Sequence, residues 1–165
     1  MVFFSVFLRT LGFLSAILIF LIIINILLHF FDNFQKRHFI MTDGIDSSNN
    51  IIAKINLNGP IFNNNSNFFG NNLYNYINPA QVKSYLEELK QLKVNILIIN
   101  INTPGGTVSA TAELEQIISK FKEGTNTKVY FFTKEILASG GYWVATTGDK
   151  IFASYGSIIG SIGVS

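Results

Sequence analysis

Apolar positions in this chain fall into one long unbroken run, a polar gap, and then short stretches that repeat every two or every three to four residues. The unbroken run is Thr10–Phe31, TLGFLSAILIFLIIINILLHFF, with no ionisable side chain except His29. At about 1.5 Å per residue it is long enough to cross a hydrocarbon core of about 30 Å, which predicts a transmembrane helix. A cleavable signal peptide has a shorter apolar core followed by a small-x-small site. This run instead closes on Leu27-Leu28-His29-Phe30-Phe31, so an uncleaved anchor is expected. Arg9 before the span and Lys36 and Arg37 after it leave the orientation open.

The polar gap, Asp32–Asn50, contains Gly44 and paired serines and reads as a linker. The expected plan is a tail over 1–9, an anchor over 10–31, a linker over 32–50 and a folded domain over 51–165. In that domain Ile51, Ala53, Ile55 and Leu57 alternate with Lys54, Asn56 and Asn58, the period of a half-buried strand, stopped by Gly59-Pro60. Asn63–Asn67 and Gly70-Asn71-Asn72 bracket Phe68 and Phe69 in an asparagine-rich stretch that predicts a loop. Asn78-Pro79 is a helix start, and Val82, Leu86 and Leu89, widened by Tyr85 and Leu92, give its apolar face. The β-branched run Val94–Ile101 predicts a parallel strand buried on both faces.

A second amphipathic helix carries Ala110, Leu114, Ile117, Ile118 and Phe121, with Gly124 placed to end it. Lys128–Thr133 predicts a strand, Ser139 the start of a short helix through Tyr142–Thr147, Gly148-Asp149 a turn, and Lys150–Ala153 a further strand. Strands alternating with helices predict an α/β fold with a largely parallel sheet. The last run, Tyr155–Ser165, holds Ile158, Ile159, Ile162 and Val164 without a closing helix. Further chain, or another subunit, is expected to cover it.

Composition changes the picture little. The 165 residues suit one domain beyond the anchor, and a formal net charge of +2 gives no reason to expect nucleic acid as a partner. The absence of cysteine excludes disulfides, thiol catalysis and cysteine-ligated metals.

Candidate chemistry gathers where glycine pairs follow apolar strands, at Thr103-Pro104-Gly105-Gly106 and Ala138-Ser139-Gly140-Gly141. Such turns aim backbone N–H groups at a ligand, and Ser139 adds a hydroxyl at a helix start. Ser139 is therefore a candidate nucleophile, with Gly105, Gly106 and Gly140 as candidate oxyanion donors. Serine and glycine at this place also suit simple helix capping. Leu137 stands where the Gly-x-Ser-x-Gly elbow has its first glycine, and the two histidines, His29 and His38, lie in or beside the span. A Ser-His-Asp triad is unsupported, and a lysine with a lowered pKa is the suitable replacement base. Trp143 and Tyr142 suit a core or a substrate groove. Gly105-Gly106-Thr107 lacks the Gly-Lys-Ser/Thr ending of a phosphate loop, and neither a metal site nor any cofactor finds support.

Asn102-Thr103-Pro104-Gly105-Gly106, Ala138-Ser139-Gly140-Gly141-Tyr142-Trp143 and Gly160-Ser161-Ile162-Gly163-Val164, in this order, resemble the signal peptide peptidase A type of membrane-bound serine protease, peptidase family S49 of the ClpP/crotonase-like superfamily. The resemblance spans roughly Ile51–Val164. It implies a ClpP/crotonase-like fold and a Ser/Lys dyad endopeptidase that cleaves remnant signal peptides and other apolar, membrane-associated peptides. It also implies a ring of identical subunits and a single-pass anchor in the cell's inner membrane, with the catalytic domain on the non-cytoplasmic side. Ser139 falls on the family's nucleophile, and Gly105 or Gly106 with Gly140 on its oxyanion donors. The lysine base of the short members lies several tens of residues after the serine, so here it is expected beyond Ser165. Lys134 and Lys150 are not nominated, because Lys150 reads as a turn residue entering a strand. Asn100 stands where relatives often have arginine.

Two other classes remain open. A protease-like membrane scaffold without a base would bind apolar peptides or partner subunits without turnover. An acyl-CoA enzyme of the crotonase type shares the oxyanion logic but gives no reason for an anchor or for a serine between glycines.

Overall fold

A computed structural model of the chain describes residues 2–34, 38–44, 48–63 and 75–163. The predicted loop at Asn64–Asn72 with Phe68 and Phe69, the flanking charges Lys36 and Arg37, and Val164 lie outside the described residues. The chain divides into two compact units, Met1–Met41 and Thr42–Ser165.

The first unit is one helix, α1 (Val2–Phe34, 33 residues). Within it Arg9–Leu28, 20 residues of mean hydropathy 2.9, is long and apolar enough to cross a membrane. The helix runs past both ends of the apolar stretch, because nothing in the flanking sequence, neither glycine nor proline, stops it there.

In the second unit four parallel strands stand in the order β1 (Ile52–Asn58), β2 (Ile96–Asn102), β3 (Lys128–Thr133), β5 (Lys150–Ala153). A second, two-stranded parallel sheet joins β4 (Ile136–Ala138) to β6 (Ile158–Gly160). Register places Ile55, Ile99 and Phe131 side by side, and Ala53, Leu97 and Val129 in the next row; all six are buried. The buried stripes of α2 (Pro79–Leu92: Val82, Leu86, Leu89) and α3 (Val108–Glu123: Ala110, Leu114, Ile118, Phe121) complete this core. Asn78 caps α2 as its pattern predicts, its side chain accepting the Ala80 N–H.

The expectation of a β2 buried on both faces is corrected. Leu97, Ile99 and Ile101 are fully buried, but Ile96, Ile98 and Asn100 alternate with them half-buried. The open face is polar toward β1, where Asn100 Nδ2 donates to Asn56 Oδ1 at 2.9 Å. Leu92, in the last turn of α2, is also exposed rather than part of the apolar face. Gly124 ends α3 as expected, at φ −86° and so without a left-handed cap.

Candidate active site

Two loops meet beyond the C-terminal ends of β2 and β4. The first, Thr103–Thr107, leads into α3, and the second is Ser139 itself, leading into α4 (Gly140–Ala145). A short parallel ladder joins them: the Thr103 N–H donates to the Ile136 carbonyl at 2.8 Å, and the Ala138 N–H to the Thr103 carbonyl at 3.1 Å. The glycine pairs, 35 positions apart in sequence, are thereby neighbours, since a β-carbon on Gly105 would lie 2.9 Å from both the Gly140 nitrogen and Ser139 Cβ. Gly105 also has φ +98°, a conformation that strains any other residue.

Ser139 holds φ 51° and ψ −125°, a sparsely populated region for a residue with a β-carbon. Its side chain is exposed and makes no capping bond to α4, so capping does not explain the serine. The backbone is held from both sides, by its N–H to the Gly160 carbonyl at 3.0 Å and by its carbonyl from the Trp143 N–H at 3.1 Å. Ser139 therefore stands alone on a sharp strand-to-helix turn between β4 and α4, with Leu137 two positions before it.

Backbone donors divide unevenly between the two loops. The Gly105 N–H is taken by Thr103 Oγ1 at 3.0 Å. Around Gly106, the Ile61 N–H donates to the Gly105 carbonyl at 2.9 Å and the Thr107 N–H to the Ile61 carbonyl at 3.1 Å, leaving the Gly106 N–H unbonded among the described residues. Gly140 is the first residue of α4, where an N–H has no partner within the helix. With six residues α4 has little macrodipole, so any stabilisation of negative charge is local to these N–H groups. A β-carbon on Gly140 would collide with Thr111 Oγ1, a buried hydroxyl without a hydrogen-bond partner among the described residues.

Lys134 is exposed in the β3–β4 turn, and Lys150 opens β5 at the end of the sheet opposite the glycine loop. Sequence reasoning named Thr103 and Gly160 only as members of motifs and missed what they do: Thr103 Oγ1 takes the Gly105 N–H, and the Gly160 carbonyl takes the Ser139 N–H. A hydroxyl residue just before Pro-Gly-Gly was the available signal for the first, and the Gly160-Ser161-Ile162-Gly163 motif for the second. Trp143 is 44% exposed beside Ser139 and so is not core, while Tyr142 is half-buried.

The sequence profile of peptidase family S49 matches residues 120–165, which contain Ser139 and Gly140. A protein named as a signal peptide peptidase, SppA, in Enterococcus faecium is 34% identical over 123 residues, which are 72% of this chain and 34% of that one. Over residues 120–165 the chain matches peptidase family S49, and over 72% of its length it is similar to the SppA relative. Protease 4 of Salmonella typhi, another similar protein, is 32% identical over 72 residues, 44% of this chain and 12% of its own. Among solved structures, a lysine-to-alanine variant of the 1510-N membrane-bound stomatin-specific protease, in complex with a substrate peptide, aligns with TM-score 0.54 at 24% identity over 70% of this chain and 48% of that one. The likeness carries the fold, the ClpP-like arrangement of a mostly parallel sheet with flanking helices. The chain spans about a third of the length of its SppA relative.

Proposed function

We propose that Ser139 is the nucleophile of a membrane-anchored serine endopeptidase, that the Gly106 and Gly140 N–H groups hold the oxyanion, and that the general base is a lysine outside these 165 residues. The observation that carries this is Ser139 itself: an exposed hydroxyl on strained backbone, free of any capping bond and packed against Gly105. Gly105 serves through its lack of a side chain, since its N–H is already taken. In the reaction Ser139 Oγ adds to a peptide carbonyl while a neutral lysine amine takes its proton. The amine product then leaves with that proton as the C–N bond breaks, and water hydrolyses the acyl-serine by the reverse roles.

The substrates on this reading are apolar peptides of the signal-peptide kind. The SppA relative is named for them, and the solved 1510-N relative holds a substrate peptide. Helix α1 anchors the protein in the cell membrane as a single span with the S49 domain on the non-cytoplasmic side, and identical subunits assemble into a ring. The decisive experiment is turnover of an internally quenched Leu/Ala-rich peptide by the full-length protein and by Ser139→Ala. Loss of at least a thousandfold in kcat is expected, and unchanged turnover by the variant would refute the assignment. Binding of the peptide by the parent without any turnover would instead point to a scaffold.

A further inference from the structure

Asn102 closes β2, three positions before Gly105, and its side chain reaches across the end of the sheet to the neighbouring loop. Its Oδ1 accepts three hydrogen bonds, from Thr133 Oγ1 at 3.1 Å, the Lys134 N–H at 3.1 Å and the Glu135 N–H at 3.0 Å. Its Nδ2 donates to Asn58 Oδ1 at 3.4 Å, and its backbone carbonyl accepts the Gly59 N–H at 3.0 Å. One residue therefore ties together the ends of β1 and β3 and the turn that opens β4. Ser139 follows β4 directly. An amide oxygen has two lone pairs, so three donors leave it no spare capacity and hold the side chain in one orientation.

The glycine loop hangs from β2 and the serine loop from β4, and among the described residues two sets of hydrogen bonds tie the bases of these loops together. One is the Thr103 backbone ladder, which no side-chain substitution removes. The other is the Asn102 carboxamide. Resting on the reading of Ser139 as nucleophile, we propose that Asn102 is a positioning residue: it sets the separation between the Gly106 oxyanion donor and the Ser139 hydroxyl by clamping the β3–β4 turn. A turn that is merely stabilised would change how long the protein stays folded. A turn that sets this separation changes the chemical step in protein that is fully folded.

The test measures kcat and KM of the full-length protein on the internally quenched Leu/Ala-rich peptide, well below the unfolding midpoint. Asn102→Ala removes the acceptor and is expected to lower kcat on the order of 10- to 100-fold with KM unchanged, the scale of a misplacement of about 1 Å. Asn102→Asp keeps the acceptor oxygen and is expected to retain most of kcat. Asn102→Gln keeps the amide but displaces it by one methylene, and is expected to fall with Asn102→Ala; it serves as the reporter if the alanine variant does not fold. Parental kcat in Asn102→Ala or Asn102→Gln, or equal losses in Asn102→Asp and Asn102→Ala, would overturn the inference alone. A parent without turnover would overturn the serine-protease reading and this inference together.

Discussion

At Ser139 strain and chemistry are separable by substitution. A non-glycine residue at φ 51° and ψ −125° costs about 1–3 kcal/mol. Ser139→Gly is therefore expected to raise stability by about 1 kcal/mol in urea denaturation while removing cleavage, whereas Ser139→Ala removes cleavage at nearly unchanged stability. A serine kept for structure would give the opposite, with both variants less stable than the parent. The same reasoning applies beneath Gly140. Thr111 is 1% exposed and its hydroxyl lacks a partner among the described residues. Thr111→Val keeps the shape and removes a group whose desolvation costs about 1–3 kcal/mol, so a gain of about 1 kcal/mol is expected. Gly140→Ala drives a methyl group into that hydroxyl and is expected to lose about 1–3 kcal/mol. A loss of stability in Thr111→Val would show that the hydroxyl has a partner after all.

Elements with several residues of clear period were legible in the sequence, and those without were not. The apolar stripes of α2 and α3, the Asn78-Pro79 start, and the strands β1, β3 and β5 follow from spacing and cap chemistry. The strands β4 and β6 have three residues each, too few to show any period, and only their pairing with each other makes them strands. That is why Gly160, which holds the Ser139 N–H, was found as part of a motif and not as a structural partner. The one-sided burial of β2 was missed because Ile96 and Ile98 are as apolar as their buried neighbours, and composition alone does not tell which face a helix covers. The meeting of the two glycine loops was foreseen as chemistry, whereas what brings it about, the Thr103 backbone ladder and the Asn102 carboxamide, belongs to polar residues at strand ends that no periodicity marks. At this scale the anchor is also testable. The full chain is expected in the carbonate-resistant membrane fraction and a chain lacking residues 1–34 in the soluble fraction; membrane retention of the shortened chain would assign binding to the second unit.

For the molecule as a whole, a carboxylate helps to hold the end of the sheet opposite the candidate site. Asp149 Oδ2 accepts the Val129 N–H at 2.8 Å, and the Asp149 N–H returns a bond to the Val129 carbonyl at 2.7 Å. Lys122, at the end of α3, stands 3.4 Å from Oδ2 and Lys128, at the start of β3, 3.6 Å from Oδ1. Two elements, α3 and β3, thus converge on this group. The Val129 N–H, and then Lys122 and Lys128, hold its carboxyl below the usual aspartate range against the opposing effect of partial burial. With a folded pKa below the unfolded value of about 3.9, the unfolded chain binds the proton more readily. The stabilisation is therefore complete above that unfolded value and is lost as pH falls through the depressed folded one. Asp149→Asn is expected to be less stable than the parent by about 1 kcal/mol at pH 7 and to close that gap on acidification below about pH 4. Thermal unfolding followed by circular dichroism across a pH series measures both, and parallel curves for the two proteins would show that Asp149 contributes no proton-linked stability. Added salt should shrink only the Lys122 and Lys128 share, because the backbone hydrogen bond to Val129 is not screened as the ion pairs are.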